Sequence, residues 1–184
     1  MYLMRRFLIL APLFFAGSLL ADETKSGPDK GEKVPALKVF DATGEHQGKD
    51  VDYAAERRDK PTIYVFVQAD KWSRPMNRFL KTLDEAAHKD GDAAIIAVWL
   101  TDKPDETKEY LPKLQTAVKY EATALTCFTG EKIGPMGWAI NSDAHLTVVV
   151  VNKAKVAAAM GFQSINETDV PGVEKALKMA KEEK

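Results

Sequence analysis

A continuous apolar run, Thr62-Ile-Tyr-Val-Phe-Val67, follows Pro61. A run of that length and β-branched content reads as a strand buried on both faces. From Pro75 the period changes, with Met76, Phe79, Leu80, Leu83 and Ala87 recurring at three- and four-residue steps. That is the apolar stripe of a helix, and Gly91 ends it. Ala93 to Leu100 is a second buried strand. Leu111, Leu114, Ala117 and Val118 mark a second helix, with the Pro104 region as its lead-in, and a short strand from Ala124 to Phe128 follows. Leu146 to Val151 and Val156 to Met160 flank the polar Asn152 to Lys155, the pattern of a hairpin. Pro171 opens a last helix whose apolar face is Val173, Ala176, Leu177 and Ala180. Strand, helix, strand, helix, strand, hairpin, helix predicts an α/β fold with a central mixed sheet.

The chain ahead of this pattern divides in two. Arg5 and Arg6 precede the apolar stretch Phe7 to Leu20, and Ala21 offers a small residue for cleavage. The run is short for a membrane span, so residues 1–21 read as a signal peptide and the mature protein as exported, periplasmic or secreted. Residues 22–33 are polar and carry Gly27, Pro28 and Gly31, which reads as a flexible linker. One domain, 34–184, takes up the rest. No later segment is apolar enough to span a membrane.

Composition narrows the chemistry. Lys and Arg number 26 against 27 for Asp and Glu, a net charge of −1, and loss of Arg5 and Arg6 with the leader takes the mature chain to −3. That balance leaves no basic excess for phosphate binding and disfavours a nucleic-acid partner, so none is expected. The single cysteine, Cys127, excludes a CxxC pair and an internal disulfide. Flanked by Leu125 and Phe128, it reads as a buried small hydrophobe. The sharper alternative is an exposed thiol that pairs with another chain. His46, His88 and His145 lack metal-ligand spacing, so neither a metal nor a cofactor is expected.

Three stretches carry a resemblance. They are Pro35 to Gly44 with Asp50-Val-Asp-Tyr53, Lys60-Pro61 leading into the Ile63 to Val67 strand, and Trp72-Ser-Arg-Pro-Met-Asn-Arg-Phe-Leu-Lys-Thr-Leu-Asp-Glu-Ala-Ala87. The last lies without a gap on a Trp-Cys-x-Pro-Cys motif and its helix, and Trp138-Ala-Ile140 adds a second match. The chain thus resembles the thioredoxin-fold redoxins, which include peroxiredoxins and exported thiol-disulfide oxidoreductases similar to TlpA and ResA. The resemblance implies a thioredoxin-like domain over roughly four-fifths of the chain. It also implies that Ser73 and Met76 stand where such proteins carry their two cysteines.

That departure decides the functional expectation. Disulfide exchange needs a thiolate, which a hydroxyl and a thioether cannot supply. The family's cis-proline is replaced too, by Ala144 or His145, so a trans peptide is expected there. The chain therefore reads as a pseudoenzyme that binds an envelope protein or peptide. Its groove would be walled by Trp72, Ser73, Arg74, Pro75, Ala144 and His145. The alternative is a thiol oxidoreductase or peroxidase acting through Cys127. A Ser73–His145–Asp143 hydrolase lacks nucleophile-elbow glycines, and Ser73 reads instead as a helix cap. Trp72, Trp99 and Trp138 read as core or site wall, with Trp72 best placed to line a groove. The glycines of Gly130 to Gly137 form a connection near the site rather than a phosphate cradle, and Asn166-Glu-Thr168 matches a glycosylation pattern by composition alone.

Overall fold

A computed structural model describes residues 23–183; the leader at 1–21 lies outside them. Eight strands and four α-helices follow one another along the described residues. They are β1 (Glu23–Thr24), β2 (Lys38–Asp41), β3 (Asp50–Asp52), α1 (Tyr53–Glu56), β4 (Thr62–Gln68), α2 (Arg74–Asp90), β5 (Ala94–Leu100), α3 (Pro104–Val118), β6 (Thr123–Phe128), β7 (Leu146–Asn152), β8 (Lys155–Phe162) and α4 (Val170–Glu182). The strands form one sheet in the order β1-β8-β7-β4-β5-β6-β2-β3. β4, β5 and β6 are parallel, and the remaining pairings are antiparallel.

The central strands are apolar throughout because both of their faces are covered. On one face Ile63, Val65, Val67, Ile95, Ala97, Trp99, Leu125, Cys127, Val148 and Val150 join a single cluster with the stripes of α2, α3 and α4. The opposite face, with Tyr64, Phe66, Ile96, Val98, Val149 and Val151, is closed by Leu37, Val39, Tyr53 and Trp138. All three long helices therefore lie on one side. Trp138 is the main plug of the other, with its ring 4.9 Å from those of both Tyr64 and Phe66 and its Nε1 donating to the Ala36 carbonyl.

The expected elements sit within a residue or two of where the pattern put them, with one difference inside α3. Ala117 is exposed, and Thr107 takes a buried place on that helix. Its hydroxyl donates to Thr101 Oγ1 at 3.3 Å, which lets a polar side chain enter the core.

The segment expected to be a flexible linker is fixed to the sheet. Glu23 and Thr24 pair with Phe162 and Gly161 as an added edge strand. The buried Ser26 hydroxyl lies 2.7 Å from Thr147 Oγ1 and accepts from Asn141 N, while Gly31 N donates to Val156 O. Polar composition concealed this, since the segment is held by hydrogen bonds rather than by apolar burial. Two glycines permit the close approach. Gly27 has φ of +98°, and a Cβ at Gly161 would fall 2.6 Å from Ser26 Cβ.

Two carboxylates buried without any exposure anchor polar loops. Asp84 on α2 accepts from Glu121 N, Ala122 N and Thr123 Oγ1, which fixes the entry to β6. Asp41 at the end of β2 accepts from the amides of Thr43, Gly44 and His46 and from the Tyr53 hydroxyl.

Candidate functional site

β4 ends at Gln68, a 3₁₀ turn spans Ala69–Lys71, and α2 begins at Arg74. This places Trp72 to Pro75 at the carboxyl end of a central parallel strand, where open α/β sheets present ligands. Ser73 is the N-cap residue, with φ of −144° and ψ of 165°, yet its hydroxyl makes no cap hydrogen bond. The expected capping role is thus one of position and not of a bond. Ser73, Arg74 and Pro75 are exposed, Trp72 is half-buried, and Met76 is buried under the helix.

The second half of the expected groove does arrive beside the first. His145 N donates to Phe162 O at 2.8 Å, and its carbonyl accepts from Gln68 N at 3.0 Å. The segment leading into β7 therefore lies next to the end of β4. Among the described residues every peptide bond is trans. His145 is half-buried, whereas Ala144 is only 1% exposed, so its side chain packs inward and does not wall a groove. Asp143 is exposed, and its amide, not its carboxylate, is engaged, donating to Asn141 Oδ1 at 2.9 Å. Nothing in that arrangement activates a serine.

The cavity at this end is displaced from the expected groove. It measures about 380 Å³ and lies on the α3 side of Trp72, between Trp99, Thr107 and Tyr110. The Trp72 and Trp99 rings meet edge to face at 5.1 Å. Ser73, Arg74, Pro75 and His145 do not line it. The loop after β6 closes in from the other side. Lys132 Nζ lies 3.0 Å from Asp70 and holds that carboxyl below its usual range, chiefly through their hydrogen bond. The loop leaves Ile133 66% and Met136 95% exposed. With Tyr110 at 41% exposed, these give this end of the sheet large apolar side chains in solvent. Ile133 and Met136 lie in a loop that belongs to no periodic face, and Tyr110, four residues before Leu114 on α3, is not among the stripe residues read from the sequence.

Cys127 lies in the middle of the sheet and is 0% exposed. Its Sγ contacts the carbonyls of Pro104 and Phe128 at 3.9 and 3.7 Å, and burial pushes the thiol up to about 11. At neutral pH only about one molecule in ten thousand would hold the thiolate. The folded chain thus keeps this thiol out of contact with solvent. We expect Ellman's reagent to find no free thiol in the folded protein and one per chain in denaturant. Rapid labelling of the native state would contradict this placement.

Away from this end, the structure joins residues that the sequence left apart. Glu45, His46 and Glu56 bring one donor atom each within 4.8 Å of one another. Histidine spacing gave no sign of it, because the partners come from the β2–β3 turn and from α1.

No family model matches the sequence, and no curated protein matches it. Solved structures do. A protein described as the thiol:disulfide interchange protein DsbE from Chlorobium tepidum aligns at 18% identity over 83% of this chain and 97% of its own, with a TM-score of 0.58. Peroxidoxin BcpB from Mycobacterium tuberculosis aligns at 14% identity over 84% and 97%, with a TM-score of 0.60. A DsbF homologue from Corynebacterium diphtheriae aligns at 15% identity over 92% and 98%, with a TM-score of 0.59. The fold is thioredoxin-like. Within that fold the chain carries one cysteine, in β6 and buried, while the start of α2 holds Ser73 and Met76. Among the described residues no helix is long and apolar enough to cross a membrane.

Proposed function

We propose that this protein is an exported, non-catalytic member of the redoxin group that holds a protein or peptide at the α2 end of its sheet. One observation carries the reading: the N-cap and first turn of α2, where the fold would activate a thiolate, offer a serine hydroxyl and a buried thioether. The binding surface consists of Trp72, Ser73, Arg74, Pro75 and His145, with the Trp72–Tyr110 cavity beside them. Aromatic side chains at the edge of a cavity are the usual anchors for an apolar partner residue. Export rests on the Arg5-Arg6 pair, the short apolar stretch and Ala21. Similarity to an "exposed lipoprotein thioredoxin" from Streptococcus pneumoniae, with a TM-score of 0.55, supports an extracytoplasmic setting.

The test is selection of displayed peptides on the immobilised protein, followed by titration of the selected sequences. We expect peptides with an apolar or aromatic anchor, bound at least about tenfold more weakly by Trp72→Ala. Peptides that bind Trp72→Ala and Tyr110→Ala as well as the natural protein would place recognition elsewhere and defeat the reading.

A further inference from the structure

We propose that Glu45, His46 and Glu56 form a site for a divalent transition-metal ion of the Zn²⁺ type. An imidazole and two carboxylates are ligands that zinc accepts, at about 2.0–2.2 Å each. Atoms so bound lie roughly 3–3.5 Å apart, and the three donors here are already within 4.8 Å of one another. Side-chain rotation alone completes the approach.

The frame that holds them is rigid. His46 sits in the turn after β2, where its own amide donates to the buried Asp41 at 2.8 Å. Its ring lies edge-on to Tyr53 at 6.1 Å, and the Tyr53 hydroxyl donates to the same Asp41 carboxylate at 2.7 Å. Glu56 ends α1, whose first turn is capped by Asp52 through the amides of Ala54 and Ala55. The imidazole Nε2 already touches Glu56 Oε1. A metal would sit between that pair and recruit Glu45.

The surroundings supply room. Glu45 and Glu56 line a cavity of about 940 Å³ at the amino ends of β4, β5 and β6 and so at the opposite end of the sheet from Trp72. Three protein ligands with the remaining position facing open space make an accessible centre rather than a closed structural one.

The test is titration of Zn²⁺ alone into the purified full chain at neutral pH, followed by calorimetry. We expect one saturable site. Loss of even a supporting residue around a metal costs about 10–100-fold in affinity. His46→Ala and Glu56→Gln should therefore each weaken binding at least tenfold. His88→Ala, which removes the other exposed histidine–glutamate pair (His88 with Glu121, 3.0 Å), should leave binding unchanged. As a readout without substitution, the His46 ring resonances should shift with one equivalent of Zn²⁺ while those of His88 and His145 stay in place. Failure to saturate with millimolar Zn²⁺, or binding that tracks His88 or His145 in place of His46, would overturn the proposal.

Discussion

Insulin disulfides should be reduced no faster in the presence of this protein than by dithiothreitol alone, and peroxide should be consumed no faster than in its absence. Both reactions begin with a thiolate attacking sulfur or oxygen. Ser73 at the α2 N-cap is un-ionised at neutral pH, Met76 is a buried thioether, and Cys127 is sealed in the sheet with its thiol pushed up to about 11. The informative partner experiment is Ser73→Cys with Met76→Cys. Ser73 at the N-cap and Met76 three residues on restore the spacing of a helix-terminal pair, where the helix N-terminus lowers a thiol pKa. Thiol counting after mild oxidation should then fall from two reactive groups to none. The swap at Met76 removes core volume and should cost about 1–3 kcal/mol, read from the urea midpoint. Turnover by the natural protein that disappears in Cys127→Ala would reverse the conclusion and make the buried thiol the active group.

Much of this architecture was legible in the chain because its signals are periodic. The unbroken run from Thr62, the three- and four-residue steps from Met76 to Ala87, and Gly91 with φ of +80° are local statements of strand, helix and stop. What stayed hidden depended on distant partners. β1 is two residues of polar sequence whose only reason to be a strand is the edge of β8. β2 and β3 are short strands at one side of the sheet, and Asp41 at the end of β2 is buried by a loop of amides although its residue type favours the surface. The site divides in the same way. Trp72 to Met76 could be placed from the motif, but the cavity beside them needed Tyr110, which α3 brings across from beyond β5. Ala144 could be aligned but not oriented, since one residue's inward turn leaves no mark in sequence.

Asp84→Ala should be the most destabilising single change away from the apolar core, at about 3–5 kcal/mol. The residue occupies a helix position that composition alone would give to solvent, yet it is 0% exposed. Its two oxygens accept from Glu121 N at 3.1 and 3.0 Å, Ala122 N at 2.9 Å and Thr123 Oγ1 at 2.7 Å. Lys81 Nζ, at 3.6 Å and partly solvated, adds little beyond this. Alanine would strand three donors in a place that water reaches poorly, and each unmet donor costs about 1–3 kcal/mol. Asn at the same position keeps one acceptor oxygen and should lose roughly half as much. Both are read from urea unfolding, where the midpoint should fall with the slope unchanged. The change also tests how the site is held. Asp84 ties the body of α2 to the entry of β6, so loosening it should free the helix that carries Trp72 to Met76 and speed amide exchange at Glu121 to Thr123. A loss under about 1 kcal/mol for Asp84→Ala would mean that the turn into β6 holds itself and that α2 is placed by its apolar stripe alone.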